Sequence, residues 1–100
     1  MKSSTTVSST SLSKEADLLQ IKDLRQQIDQ LDDQLAGLLL QRLKLSSQVQ
    51  EIKLRQGQSA YTPQREAEIL ARLQLKYPQI PIMAIETIYQ TIFSWMRPLR

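Results

Sequence analysis

Residues 24–53 read LRQQIDQLDDQLAGLLLQRLKLSSQVQEIK. In this stretch Leu24, Ile28, Leu31, Leu35, Leu38, Leu45 and Val49 recur at the three- and four-residue steps of one helical face. Arg42 falls near the middle of that apolar stripe. Lys53 lies about 20° from it around the helix and roughly 16 Å further along the axis. An unpaired buried cation costs several kcal/mol, so a face holding two of them needs anionic partners, either protein carboxylates or a ligand.

Working outward, the helical pattern runs from about Lys14 to Arg55 with no Pro and a single Gly, Gly37. It predicts one helix of about 40 residues, roughly 60 Å long, which needs a second chain or a long hairpin to cover it. Ser13 is placed to cap its start. Gly37 costs about 1 kcal/mol in a helix interior, which close helix approach would explain. Ahead of it, Ser3 to Ser13 holds nine Ser or Thr residues, too polar to offset its ordering entropy. Residues 1–13 are therefore expected to form a disordered tail, and residues 14–100 one helical domain.

Gln56 to Tyr61 interrupts the pattern around Gly57. Thr62 then reads as an N-cap, with Pro63 at the first helical position and Glu66 in the first turn. This second helix runs to about Lys76 with Ile69, Leu70 and Leu73 inward. Tyr77, Pro78 and Pro81 bound a short connection. A third helix begins near Ile82, carries Ile85, Ile88, Tyr89, Ile92 and Met96 on one side, and stops or kinks at Pro98. Strand alternation is absent. The expected fold is all-α: one very long, one short and one medium helix.

Composition narrows the chemistry. The 100 residues include 13 basic and 10 acidic side chains, interspersed, for a net charge of +3. No basic stripe is present and only five aromatics are available for stacking, which argues against nucleic acid. The absence of Cys and His removes disulfides, thiol nucleophiles, imidazole bases and nearly all zinc chemistry. No apolar run approaches a membrane span, and Lys2 is not followed by the apolar core of a secretory signal, so a soluble cytoplasmic protein is expected.

Arg25, Arg42 and Lys53 on the long helix, with Arg65 and Glu66 at the start of the next, form a set rich in cations with one carboxylate. It suits a small dicarboxylate bearing a hydroxyl, since Arg pairs with carboxylates in a fork and Glu accepts from O–H. Arg25 is some 25 Å from Arg42 along the helix, and an antiparallel second copy could bring it to the same place. The bland alternatives are a snorkelling Arg42, a solvated first turn at Arg65-Glu66, and weak surface bridges from Asp29, Asp32 and Asp33 to Arg25. Periodicity alone leaves both a ligand site and a coiled-coil interaction module open.

The ordered set Leu24-Arg25-x-x-Ile28-x-x-Leu31-Asp32, Leu38-Leu39-x-x-Arg42 and Val49-x-x-x-Lys53 resembles the all-helical chorismate mutases. So do Tyr61-Thr62-Pro63-Gln64-Arg65-Glu66, the twelve-residue step from Lys53 to Arg65, and Ile85-x-x-Ile88-Tyr89-x-x-Ile92. The likeness spans about Leu18 to Arg100. It implies an intertwined homodimeric helical bundle, each site taking Arg25 from the other subunit, and rearrangement of chorismate to prephenate without cofactor or metal. By carry-over, Arg25 and Arg42 bind the two carboxylates, and Lys53 donates to the ether oxygen. Glu66 accepts from the ring hydroxyl, Arg65 orders the network, and Thr62 and Arg100 complete the substrate contacts.

Three positions depart from the family pattern. Thr62 stands where Asp is common, Met96 replaces a small polar residue, and Arg100 occupies the place of a Gln or Glu donor to the ether oxygen. Those departures keep a silent or regulatory helical dimer in view. An isochorismate pyruvate-lyase shares the fold and the cationic site, but the Lys53-to-Arg65 spacing resembles the mutases.

Overall fold

The computed structural model describes residues 9–97. These form three helices, α1 (Ser9–Arg55), α2 (Pro63–Lys76) and α3 (Ile82–Met96), with no strand among the described residues. The chain divides into two units, Met1–Leu39 and Leu40–Arg100.

α1 starts at Ser9 rather than near Lys14, so Ser13 lies within the helix instead of capping it. Once a Leu-rich helix is nucleated, each added residue gains a backbone hydrogen bond, and neither Gly nor Pro opposes extension through Ser9 to Ser13. Residues 1–8 of the expected tail lie outside the described residues.

In the first unit, no other described residues cover α1. Leu24, Ile28, Leu31 and Leu35, the very positions that define its stripe, are all exposed, Leu31 to 62%. A Cβ added at Gly37 would meet nothing within 4 Å among the described residues, so none of them requires a glycine there.

In the second unit, α1 ends in a Schellman arrangement. The Gln58 N–H donates to the Lys53 carbonyl at 2.8 Å and the Gly57 N–H to the Leu54 carbonyl at 3.1 Å. Closing that turn takes Gly57 to φ +70°, where a side chain would be strained. Thr62 and Pro63 then start α2 as the sequence indicates: the Thr62 carbonyl accepts from the Arg65 and Glu66 N–H groups at 3.1 and 3.3 Å. Its hydroxyl makes no cap bond. Pro81 starts α3 in the same way, its carbonyl accepting from Ala84 and Ile85.

α2 and α3 pack directly on each other. Ile69 and Leu73 from α2 meet Ile85 and Phe93 from α3, with Leu70 and Tyr89 packed alongside and the Tyr89 and Phe93 rings 5.7 Å apart. Burying Phe93 contributes roughly 2–3 kcal/mol. The inward row of α3 is thus Ile85, Tyr89 and Phe93 with Met96, and Ile88 is exposed. That corrects the expected face: the buried row follows four-residue steps toward α2, which turns Ile88 away.

Candidate active site

The C-terminal part of α1, the start of α2 and the end of α3 line an open cavity of about 290 Å³ within the second unit. Each wall has a sequence reason to be there. Arg42, Ser46, Val49 and Gln50 lie at three- and four-residue steps on α1. Thr62, Arg65, Glu66 and Ile69 come from the first two turns of α2, and Phe93, Met96 and Arg97 from the end of α3.

Arg42 is half-buried and its charge has no carboxylate partner among the described residues. Its Nη1 donates to the Met96 Sδ at 2.9 Å, and its guanidinium lies 5.6 Å from the Phe93 ring centre. A thioether is a weak acceptor and a ring face a weak counter-charge, so the cation is held in place without being neutralised. Gln50 fixes the same corner: its Nε2 donates to the Met96 carbonyl at 2.6 Å, using a carbonyl that the end of α3 leaves free.

Lys53 sits one to two turns beyond Val49, half-buried, and its Nζ donates to Thr62 Oγ1 at 3.0 Å. This is where the cap hydroxyl has gone: it holds a lysine at the cavity's edge rather than a helix N–H. Glu66 is 18% exposed and receives Arg97 as a fork, Nη2 to Oε1 at 2.7 Å and Nε to Oε2 at 3.1 Å. Arg97 in turn lies over the Tyr61 ring at 4.6 Å. The hydrogen bond that Arg97 donates to Glu66 raises its pKa further, against partial desolvation, so Arg97 stays charged. Arg65 lines the cavity, but its guanidinium makes an exposed 3.9 Å contact with Glu68. Such a pair contributes at most about 1 kcal/mol and leaves Arg65 free to swing.

Of the residues the sequence singles out, Arg42, Thr62, Arg65 and Glu66 line one cavity, with Lys53 bonded to its rim. Arg25 belongs to the first unit, is exposed, and makes no ion pair among the described residues. Arg100 and Pro98 lie outside the described residues. Gln50 and Arg97 also line the cavity, and sequence reasoning overlooked both. The signal for Arg97 was present: it continues the row Ile85, Tyr89, Phe93 by one more four-residue step, as Arg42 continues the stripe of α1.

Chemically the cavity offers two arginines without a buried counter-ion, a lysine at the rim, one carboxylate held by a third arginine, and an apolar floor. That lining suits an anion of modest size. No group of three or more potential metal ligands occurs among the described residues.

The chain matches the family described as chorismate mutase type II over residues 24–100, and it belongs to that family. It is 41% identical over 77 residues to the T-protein of Haemophilus influenzae, covering 77% of this chain and 20% of the relative. It is 50% identical over 48 residues to the T-protein of Enterobacter agglomerans, covering 48% and 13%. It is 31% identical over 80 residues to a bifunctional chorismate mutase/prephenate dehydratase of Aquifex aeolicus, covering 75% and 22%. The chain thus spans only about a fifth or less of these relatives' lengths. No solved structure gives a significant match.

Proposed function

We propose that the chain is a chorismate mutase, converting chorismate to prephenate in the cavity of the second unit. The observation that carries this reading is the convergence of Arg42, Arg65, Glu66 and the Lys53–Thr62 pair on one small cavity. These are the groups that the likeness to the family assigns to the substrate.

The reaction is an intramolecular rearrangement in which one C–O bond breaks as a C–C bond forms. It asks for no nucleophile and no base, only a compact substrate conformer and stabilisation of negative charge on the ether oxygen. Arg42 takes one carboxylate, exchanging a thioether for a charged acceptor. Lys53 turns from Thr62 to the ether oxygen, and Glu66 accepts from the ring hydroxyl with the lone pairs Arg97 leaves free. Arg65, released from its weak contact with Glu68, supports the anion.

Arg25 comes from a second copy of the chain, which also covers the exposed stripe of α1. An uncovered row of Leu and Ile on a long helix supports such a homodimer. No helix among the described residues is long and apolar enough to cross a membrane, consistent with our placing the enzyme in the cytoplasm.

A second reading rests on Met96. Its buried sulfur takes a donor of Arg42, where a ligand oxygen would have to compete for it. A silent helical dimer is the form of the family that reading predicts. Following chorismate loss by its ultraviolet absorbance decides between the two: the mutase reading predicts turnover to prephenate, and no turnover at high enzyme concentration contradicts it.

A further inference from the structure

Glu66 and Arg97 make the closest ionic contact among the described residues, and no motif pointed to it. Both carboxylate oxygens are engaged, by two different nitrogens of one guanidinium. A planar fork of this kind fixes the rotation of a carboxylate as well as its position, which a single bond does not. The guanidinium is itself fixed, lying over the Tyr61 ring at the point where the chain leaves α3. Arg65, the neighbour that the likeness to the family would have order this network, makes only an exposed 3.9 Å contact with Glu68.

Two consequences follow from charge and valence. A carboxylate in a cavity meant for a dianion repels its ligand, and Arg97 cancels that charge while leaving Arg42 and Arg65 unmatched. An ionised carboxylate also has about four acceptor sites, of which the fork takes two. The remaining two are held in a defined orientation, available to a ligand hydroxyl.

We propose that Arg97 is a positioning residue of this site: it clamps Glu66 so that the carboxylate accepts from the ring hydroxyl of a dianionic ligand without repelling its carboxylates. Arg97 acts through Glu66 and need not touch the reacting atoms. The inference deepens the mutase reading and rests on it.

The test uses the full chain, Arg97→Gln and Arg97→Lys, with two probes: a bicyclic dicarboxylate mimic of the transition state and the same compound lacking its hydroxyl. Hydrogen bonds to charged groups carry roughly a tenfold or greater preference. Calorimetry should therefore show the wild type favouring the hydroxylated probe by about tenfold or more, and Arg97→Gln losing that preference. Chorismate kinetics should show kcat falling about 10- to 100-fold in Arg97→Gln with KM little changed. Arg97→Lys, which keeps the charge but not the fork, should recover part of both, and it carries the test if Arg97→Gln does not fold.

Unchanged kcat and hydroxyl preference in a folded Arg97→Gln overturn the role of Arg97. So does a rise in activity, which would mark the contact as a latch. A fall in melting temperature with the hydroxyl preference intact marks it as merely structural and overturns it equally. A wild type that neither turns over chorismate nor binds either probe overturns the reading of the site itself, and this inference with it.

Discussion

Lys53 and Met96 separate two kinds of dependence at the residue scale. Among the described residues the Lys53 ammonium is tethered only to the exposed Thr62 hydroxyl, a bond that contributes little to folding. Its value in our account lies at the ether oxygen. Lys53→Ala should lower kcat by about 10²- to 10³-fold, the usual cost of losing one donor to a developing anion, with the melting temperature nearly unchanged. Steady-state kinetics beside a thermal melt check this. Met96 is the opposite case, 4% exposed and packed where α3 ends. Met96→Ala should cost about 2–5 kcal/mol of stability by opening a cavity, read in a denaturant titration. Arg42 was legible because it broke an apolar period. Arg97 broke one as well, but a lone arginine after a helix end also reads as an ordinary partner of the helix dipole. Nothing in the chain order announced that it would meet a glutamate 31 residues earlier.

At the scale of the elements, the boundaries carrying explicit chemical punctuation were readable and the others were not. Gly57, Pro63 and Pro81 mark where α1 stops and where α2 and α3 begin. The start of α1 has no such mark, because serine and threonine tolerate an extending helix without requiring it. The buried face of α3 was misjudged at Ile88, since isoleucine suits either an internal core or a surface that another chain covers. Gly57 is the sharpest test of an element. At φ +70° a side chain is strained, so Gly57→Ala should destabilise by about 1 kcal/mol. For a domain of this size that lowers the melting temperature by about 4–8 °C. It should also weaken activity, because the same turn carries the Lys53 carbonyl and leads into Thr62.

At the scale of the whole molecule, the uncovered stripe of α1 sets the question. Helix length made an uncovered apolar stripe legible from the sequence, while what covers it is not a property that one chain's periodicity can encode. Our reading supplies a second copy, with Leu24, Ile28, Leu31 and Leu35 at the interface. A carboxylate there would have to be buried, so Leu31→Asp should shift sedimentation to the monomer and reduce turnover together. In our reading Arg25 ties assembly to chemistry: it is exposed and makes no ion pair among the described residues, and we assign it to a second substrate carboxylate. The direct test is subunit mixing by co-expression of Arg25→Ala with Lys53→Ala, each nearly inactive alone. If the two residues serve one site from different chains, half of the dimers are mixed and each has one intact site. Chorismate turnover should then return to about a quarter of the wild-type value. Turnover no greater than that of the separate variants would contradict the shared site.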